Sequence, residues 1–374
     1  MIYPLIRPFL FRLDAEAAHS LTLSGLRLAG RFALSRWLLR SLFAVDDPRL
    51  ETEVFGLRFK NPVGLAAGYD KNGVAVKGLS ALGFGHVEVG TVTLLPQVGN
   101  PRPRVHRLPR ARAVVNSMGF PNGGVDALRL DRRASAGQAS AGAVPTRVGV
   151  NIGKGRDTPL EQAAADYIAL LRIIHSRGQA DYIAVNVSSP NTRGLRQLQD
   201  REFLEGLVTS LVEVRDALQP RLPLLVKLAP DLTEAEIDDA LDVLMGVGGT
   251  GIDGVIVSNT TVSRDGVPDA ANLAGGLSGA PLRARSTAMI RYVARQTGGR
   301  LPIVGVGGIL EPADAIEKLQ AGASLVQLFT GLVYSGPGLV RAINEELLRL
   351  CAREGLSSVR DLIGYQPAPA RAPR

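Results

Sequence analysis

Hydrophobic and polar positions divide the chain into short apolar runs and longer segments with apolar residues at helical spacing. The apolar runs predict eight buried strands, at residues 63–68, 84–93, 147–153, 181–189, 222–230, 254–260, 301–309 and 325–332. Helical spacing separates most of them, at residues 158–177, 200–218, 233–246, 281–297 and 312–321. Eight such units favour an α/β fold, a closed parallel (β/α)8 TIM barrel, over an open doubly wound sheet.

Three further segments lie outside the barrel pattern. Residues 52–55 and 57–59, which turn at Gly56, predict a hairpin before the first barrel strand. Residues 131–145, rich in Ala, Ser, Gly and Arg, predict an exposed insertion, and a tail with three prolines is expected to be disordered. The predicted domains are a short N-terminal helical extension at 1–45, the barrel at 46–365 and the tail at 366–374.

The N-terminal extension differs in composition from the rest of the chain. Leu, Phe, Ala and Arg dominate, and the arginines face only two acidic residues, Asp14 and Glu16. No uncharged apolar run approaches the roughly 20 residues that span a bilayer, and charges interrupt the apolar positions too often for a cleavable signal peptide. Apolar stripes with arginines between them predict a pair of amphipathic helices on a membrane surface. The alternative is a helical cap packed on the barrel.

Composition narrows the classes of partner. The chain has 374 residues, is 45% hydrophobic and 21% charged, and carries a formal net charge of +8. Such a charge fits nucleic acid, an anionic membrane or anionic small molecules. Aromatic residues make up only 5% of the chain and no Lys/Arg run resembles a nucleic-acid tract, so we expect no nucleic acid. The single cysteine, Cys351, excludes a disulfide framework, and the histidine spacing predicts no metal site.

A polar cluster closes the fourth predicted strand. After the apolar run Tyr182-Ile183-Ala184-Val185, the sequence Asn186-Val187-Ser188-Ser189-Pro190-Asn191-Thr192 crowds amides and hydroxyls around a proline. Such residues at the end of a strand buried on both faces are costly unless something binds there. Taken alone, the cluster also fits an Asn/Ser/Pro turn that caps the next helix.

Other strand ends carry similar chemistry, and in a barrel of this type these ends converge on one site. Lys71, Asn151, Lys227 and Asn259 lie at or after four of them. Together, amides and ammonium groups can bind a small ring that bears amide groups and a carboxylate. The last two strands end instead in glycines, at 305, 307, 308 and 331, where exposed backbone amides favour a phosphate.

Seven ordered motifs over about residues 45–340 resemble dihydroorotate dehydrogenase of the quinone-dependent class (class 2). They are Ala66-Ala67-Gly68-Tyr69-Asp70-Lys71, Gly90-Thr91-Val92-Thr93, Asn100-Pro101-Arg102-Pro103-Arg104, Asn116-Ser117-Met118-Gly119-Phe120, and residues 186–192, 275–279 and 305–308. The resemblance implies oxidation of (S)-dihydroorotate to orotate in pyrimidine (UMP) synthesis, with one FMN per chain and a membrane quinone as electron acceptor. We expect a monomer, attached peripherally through residues 1–45 to the cytoplasmic face of a bacterial-type cell membrane.

The resemblance also assigns residues to roles. The catalytic base is Ser189. The substrate contacts are Lys71, Asn116, Ser117, Met118, Gly119, Phe120, Asn186, Asn191, Asn259 and Thr260. The FMN contacts are Ala67, Gly68, Tyr69, Asp70, Lys71, Thr91, Asn151, Asn186, Lys227, Ser258, Gly279, Gly308, Phe329 and Thr330. His19 and Arg107 match positions near the quinone passage, although His19 is also explained as a polar residue on a helix face.

Serine at position 189 favours quinone as the acceptor. In the soluble class 1 enzymes the corresponding base is cysteine, and those enzymes lack an N-terminal extension. A hydroxyl is a poor base near neutral pH, so raised pH is expected to help. Residues 190–199, with Gly194 as a hinge, are expected to form a lid over the substrate.

Two alternatives remain open from the sequence. One is a class 1 type enzyme that uses fumarate or NAD. The other is a flavin-free barrel lyase that uses Lys71 or Lys227 as a Schiff-base amine.

Overall fold

The computed structural model describes residues 3–130, 144–246 and 251–365. Its strands are β1 (Thr52–Val54), β2 (Leu57–Phe59), β3 (Val63–Leu65), β4 (His86–Val92), β5 (Val105–Leu108), β6 (Ala113–Asn116), β7 (Arg147–Ile152), β8 (Tyr182–Asn186), β9 (Leu224–Leu228), β10 (Gly254–Val257), β11 (Gly276–Gly279), β12 (Ile303–Val306) and β13 (Leu325–Leu328). Eight of them form a closed parallel barrel, in the order β3-β4-β7-β8-β9-β10-β12-β13, with β13 paired to β3. The predicted TIM barrel is therefore confirmed, and each barrel strand lies inside its predicted segment.

Three helices precede the first barrel strand, and the others connect the barrel strands or follow the last of them. They are α1 (Tyr3–Arg12), α2 (Ala15–Ala29), α3 (Ala33–Phe43), α4 (Val76–Ala81), α5 (Ala163–Ser176), α6 (Arg201–Ala217), α7 (Glu234–Met245), α8 (Arg283–Thr297), α9 (Pro312–Gln320), α10 (Thr330–Ser335) and α11 (Gly338–Glu354). The five predicted helices α5 to α9 are confirmed to within a few residues. Cys351 is buried in α11.

The hairpin of β1 and β2 closes the amino-terminal end of the barrel. The Phe59 ring packs edge-on against His86 at 5.6 Å between centroids, and Phe55 lies 6.4 Å from Tyr182. Above these rings the barrel interior is filled by small and branched side chains, which are Ala184, Leu225, Ile256, Val304 and Leu325. Because this end is filled, a ligand can enter only at the carboxyl ends of the strands.

The N-terminal extension forms three helices where the sequence predicted a pair. Asp14 interrupts the first predicted helix, since its carboxylate accepts hydrogen bonds from the backbone N–H groups of Glu16 and Ala17, at 2.9 and 3.0 Å, and so begins α2. Helix α2 crosses α4 closely: a Cβ at Gly78 would collide with the carbonyl oxygen of Leu26. The periodicity of apolar residues in this segment did not distinguish one long helix from the two helices α1 and α2.

The same helices expose a row of large apolar side chains. They include Leu5, Phe9, Leu34, Trp37, Leu38 and Leu42. Within residues 3–130, 144–246 and 251–365, no helix is long and apolar enough to cross a membrane. The extension thus packs on the barrel through one face and presents hydrophobic side chains on the other.

A three-stranded antiparallel sheet, with β6 between β5 and β11, was not predicted. Its strands have four residues each, too short to show an alternating pattern. The sheet places Asn116 and Gly279 beside the open end of the barrel. The predicted tail, and all but the last two residues of the predicted insertion 131–145, lie outside the described residues.

Candidate active site

A cavity of about 590 Å³ lies at the carboxyl ends of the barrel strands. Its floor is the polar end of the barrel, and its outer wall is formed by α1, α2 and α3. The predicted site residues that line it are Ala67, Gly68, Tyr69, Lys71, Thr91, Asn116, Met118, Gly119, Phe120, Asn186, Ser189, Asn191, Lys227, Ser258, Asn259, Thr260, Gly279, Gly308, Phe329 and Thr330, together with His19 and Arg107. Residues far apart in sequence therefore share one cavity.

Three predicted site residues do not line the cavity. The Asp70 carboxylate accepts hydrogen bonds from the N–H groups of Val74 and Ala75, at 2.9 and 2.7 Å, and so shapes the turn before α4. Ser117 holds a neighbouring loop through its carbonyl, which accepts from the Asn100 amide at 2.8 Å. Asn151 lies directly beneath the cavity floor. These three residues do not reach the cavity, but they hold the loops and side chains that line it.

Thr91 and Asn186 in the cavity floor and Asn151 beneath it form a hydrogen-bond network at the ends of β4, β7 and β8. Thr91 Oγ1 donates to Asn151 Oδ1 at 2.6 Å. Asn186 Nδ2 donates to Thr91 Oγ1 and Asn151 Oδ1, at 3.1 and 3.2 Å. Each of these side chains is held by another strand, so the network presents fixed polar groups to a ligand.

Ser189 lies on the loop after β8, is 5% exposed and faces the cavity. Its Oγ accepts from the backbone N–H of Asn191 at 3.3 Å. The Asn191 side chain donates to Asn116 Oδ1 at 3.0 Å, while its own Oδ1 is buried with no partner among the described residues. A buried amide oxygen of this kind is available to a hydrogen-bond donor on a ligand.

A backbone turn at Gly119 brings the loop after β6 against this face. Gly119 has φ +67°, and a Cβ there would lie 2.8 Å from the amide of Asn100. That amide also donates to the carbonyl oxygen of Asn191 at 3.2 Å. Glycine is required at this position because the turn and the amide occupy the space of a side chain.

The predicted lid, residues 190–199, is fastened to the neighbouring loops by Arg196. Its guanidinium donates to the carbonyl oxygens of Ser188 and Thr260, at 3.2 and 3.0 Å, and pairs with Asp231 at 2.9 Å. Gly194, the predicted hinge, has φ +68°. The sequence did not single out Arg196, because one arginine in a polar loop carries no distinctive pattern.

Two lysines bring positive charge to the cavity. Lys227 projects from β9 and is 5% exposed, and burial lowers the pKa of its ammonium group, while the field of Glu88 acts in the opposite direction. Lys71 donates to the carbonyl oxygen of Gly68 at 2.8 Å, and burial lowers its pKa to about 8. Both lysines are suited to an anionic or electron-rich ligand.

The outer part of the cavity meets α2. The His19 ring packs edge-on against Tyr69 at 4.8 Å, and burial lowers the pKa of His19 to about 4, so this imidazole is neutral near pH 7. The hydroxyl groups of Tyr69 and Thr22 are 3.1 Å apart. Arg107 has a structural task as well, since it donates to the carbonyl oxygens of Leu10 and Leu13 at the end of α1.

An ion pair ties α2 to the substrate side of the cavity. Arg104 is 6% exposed, and its guanidinium pairs with Glu16 at 3.0 Å. The same guanidinium donates to the carbonyl oxygens of Val98 and Asn100, at 2.7 and 2.8 Å. The sequence reasoning missed Glu16, because only the fold brings it to Arg104, which is distant in sequence.

Sequence reasoning also missed Glu88, whose carboxylate is completely buried inside the barrel. A glutamate between Val87 and Val89, in a strand predicted to be buried on both faces, was a visible anomaly. Among the described residues, no three His, Cys, Asp or Glu side chains are grouped as metal ligands.

Comparisons with known proteins agree with this geometry. A family model described as dihydroorotate dehydrogenase matches residues 49–351. A protein of Acidithiobacillus ferrooxidans named dihydroorotate dehydrogenase (quinone) is 46% identical over 360 residues, covering 95% of this chain and 97% of that one. A Chloroflexus aurantiacus protein of the same name is 51% identical over 356 residues, covering 92% and 95%. The crystal structure of DHODH in complex with ferulenol from Eimeria tenella aligns with a TM-score of 0.82 at 36% identity, covering 94% of this chain and 95% of that chain.

Proposed function

The chain belongs to the quinone-dependent class of the dihydroorotate dehydrogenase family, and we propose that it couples oxidation of (S)-dihydroorotate to reduction of a membrane quinone through one bound FMN. The names of its relatives assign the chain to the oxidoreductases of pyrimidine synthesis. Fumarate or NAD as the electron acceptor is not favoured, and neither is a flavin-free lyase. The relatives are named as quinone enzymes, and the similarity to them covers nearly their full length. The monomeric state stays a prediction.

The observation that carries the proposal is a single cavity with two chemically different ends. One end holds Ser189, Asn191 and the amide network of the barrel floor, and the other is walled by the helices of the N-terminal extension. A substrate at the polar end and a lipophilic acceptor at the helical end would both reach the same buried middle. Such an arrangement suits a cofactor that is reduced from one side and reoxidised from the other.

The residues between the two ends fit FMN. Gly68 and Phe329 both line the cavity, and a Cβ at Gly68 would lie 3.2 Å from the Phe329 ring, so a larger residue at position 68 would crowd this part of the cavity. Gln327 lines the cavity with a buried Oε1 that has no partner among the described residues. Thr330 and Ser278, with hydroxyl groups 2.8 Å apart, offer donors to the phosphate. When bound, FMN supplies the two-electron acceptor chemistry that amino-acid side chains lack.

The chain's own residues perform the remaining tasks. Ser189 takes the proton from C5 of dihydroorotate, and the amides of Asn116, Asn191 and Asn259 hold the pyrimidine ring in register. The Lys227 ammonium stabilises negative charge that develops in the ring system beside it. Arg196 keeps the lid closed on Thr260 and Ser188, and this closure excludes water.

The proposal is tested by the colour of the purified protein and its choice of acceptor. We expect a yellow protein with one FMN per chain, and dihydroorotate oxidation that is fast with a short-chain quinone and negligible with fumarate or NAD. Flavin content is measured by absorbance after denaturation, and orotate formation is followed with each acceptor. A colourless protein, or turnover with fumarate alone, would contradict the proposal.

We propose further that the extension binds the cytoplasmic face of a cell membrane through its exposed apolar row. Leu34 and Trp37 on α3 are 75% and 63% exposed. Replacing both with glutamate removes two side chains that each contribute about 1.5–3 kcal/mol on burial, so binding to anionic vesicles should weaken at least about tenfold. Flotation of holoenzyme with vesicles measures this.

The matched control is Phe203→Glu, which changes an exposed aromatic side chain on α6, at the outside of the barrel. This variant should float as the unaltered protein does. Flavin reduction by dihydroorotate should be normal in both variants, because neither touches the polar end of the cavity. Equal flotation of the α3 variant and the unaltered protein would argue that the extension is only a cap.

A further inference from the structure

The short helix α10 begins at the part of the cavity that we assign to the FMN phosphate. Its first residue is Thr330, whose hydroxyl lies 2.8 Å from that of Ser278. The last carbonyl groups of a helix lack intrahelical partners. In α10 the sequence ensures this for Val333, because Pro337 stands four residues later and has no N–H to donate. The carbonyl end of α10 therefore needs donors from elsewhere in the fold.

Two side chains of α1, at the other end of the sequence, supply these donors. The Tyr3 hydroxyl donates to the carbonyl oxygen of Val333 at 2.5 Å, and Arg7 Nη1 donates to that of Tyr334 at 3.0 Å. The guanidinium also brings positive charge to the carbonyl end of the helix, which carries partial negative charge. Helix α1 thus acts as the C-terminal cap of α10, although 330 residues separate Tyr3 from Val333.

Aromatic packing reinforces this cap. The Phe11 ring of α1 packs edge-on against Tyr334 at 5.4 Å between centroids. The Tyr3 ring fills the space beside Gly336, where a Cβ would lie 2.3 Å from it. Gly336 ends α10 with φ +81°, a conformation that favours glycine. The sequence at the end of α10 is therefore suited to receive Tyr3.

Helix α10 has only six residues, and both of its ends contact segments that carry predicted FMN contacts. At its start, a Cβ on Gly331 would lie 2.1 Å from the carbonyl oxygen of Ile309, in the loop after β12. Near its end, the Tyr334 hydroxyl donates at 2.8 Å to the carbonyl oxygen of Ala113, which pairs with Gly279 on β11. A small displacement of α10 would consequently move several groups around the phosphate.

We propose that Arg7 and Tyr3 are positioning residues for the FMN phosphate: by capping α10 from α1, they hold Thr330 and the neighbouring glycine loops in place. The inference rests on the proposed function, because it concerns the FMN site. It gives the N-terminal extension a task in cofactor retention besides membrane binding. Arg7 is the cleaner residue to test, since it does not line the cavity, whereas Tyr3 does.

The test compares Arg7→Gln holoenzyme with the unaltered holoenzyme by two measurements. FMN should dissociate about 3- to 30-fold faster from the variant, the range expected of a coupled residue outside the ligand's contacts. Recovery of flavin fluorescence after dilution measures this rate. The phosphorus NMR resonance of bound FMN should also shift or broaden, while the visible absorption spectrum of the flavin ring stays unchanged. A general loss of stability would not be confined to the phosphate in this way.

Arg12→Gln is the matched control, because Arg12 belongs to the same helix and its guanidinium lies over the ring of Phe9, also on α1, at 5.7 Å. This variant should retain FMN as the unaltered enzyme does. Arg7→Lys keeps a positively charged donor and should recover at least part of the lost retention. Tyr3→Phe removes one hydrogen bond but keeps the ring, so its FMN should dissociate about 2- to 10-fold faster. It carries the same test if Arg7→Gln cannot be purified with FMN.

Unchanged FMN dissociation in Arg7→Gln would overturn the inference. Faster dissociation with an unmoved phosphorus resonance would overturn it too, as would an equal acceleration in Arg12→Gln. Each of these results leaves the proposed function intact. The proposed function fails separately, if the unaltered protein itself contains no flavin.

Discussion

Replacing Ser189 with alanine should leave FMN bound and slow flavin reduction by dihydroorotate about 10²- to 10⁴-fold, the usual contribution of a general base. The Ser189 side chain faces the cavity, and its Oγ is positioned by the N–H of Asn191 at 3.3 Å. Alanine removes the proton acceptor but leaves the loop backbone and the asparagines in place. The rate is measured by stopped-flow mixing of the oxidised enzyme with substrate in the absence of quinone.

Thr192 supplies the control for Ser189. It lies on the same loop, and its hydroxyl is buried without a partner among the described residues. Thr192→Val keeps the shape of the side chain and should reduce at close to the normal rate. Ser189→Cys retains a group that can accept a proton and should lose less activity than Ser189→Ala. Near-normal reduction in Ser189→Ala would remove Ser189 as the base.

The pH dependence of the Ser189 step provides a second check. A serine hydroxyl accepts the C5 proton more readily as pH rises, so reduction of the unaltered enzyme should accelerate from neutral to alkaline pH. Ser189→Cys should reach its plateau at lower pH, because a thiol ionises more easily than a hydroxyl. Identical pH profiles for the two proteins would show that a different group sets the rate.

The barrel could be predicted because its strands are nearly uniform in polarity. Ile183, Val185 and their counterparts in other strands are buried on both faces, and helices of regular periodicity separate them. The antiparallel sheet and the six-residue helices α4 and α10 could not be predicted in this way. Their short length leaves no room for a period, and contacts distant in sequence hold them in place.

Site residues could be predicted from the sequence where they lie at the ends of strands. Position relative to a strand is readable in sequence, so Asn186, Lys227 and Asn259 could be assigned to the site from their spacing after apolar runs. Residues that work by pairing, such as Arg196 with Asp231 and Arg104 with Glu16, were missed. Neither partner of such a pair is distinctive until the fold brings the two together.

The N-terminal extension shows how two interpretations of one segment combine. Its inner face is fixed to the barrel by the Glu16–Arg104 ion pair and by Arg107 at the end of α1, as a cap would be. Its outer face carries Trp37 and other exposed apolar side chains, as a membrane-binding segment would. A helical wall that is fixed to the barrel on its inner side and exposes apolar side chains on its outer side suits a passage between a membrane and the cavity.

Replacing Lys227 with methionine should slow flavin reduction about 10²- to 10³-fold, as loss of one buried electrostatic donor does in other enzymes. The ammonium lies inside the barrel and is 5% exposed, and the low dielectric there strengthens its field. Lys227→Arg retains the charge and should recover part of the rate, limited by the bulk of the guanidinium. Stopped-flow reduction with saturating substrate measures each variant, after flavin content has been matched.

Lys318 is the control that distinguishes charge at the site from burial alone. It is also completely buried, and its ammonium donates to the hydroxyl groups of Ser286 and Thr287, both at 3.1 Å, but it does not line the cavity. Lys318→Met should change stability more than the rate of flavin reduction. If both lysine variants slowed reduction equally, the effect would come from packing. Only a loss specific to Lys227 supports a charge that acts on the reacting rings. Partial recovery in Lys227→Arg would count against the Schiff-base lyase, because a guanidinium keeps the charge but forms no covalent imine.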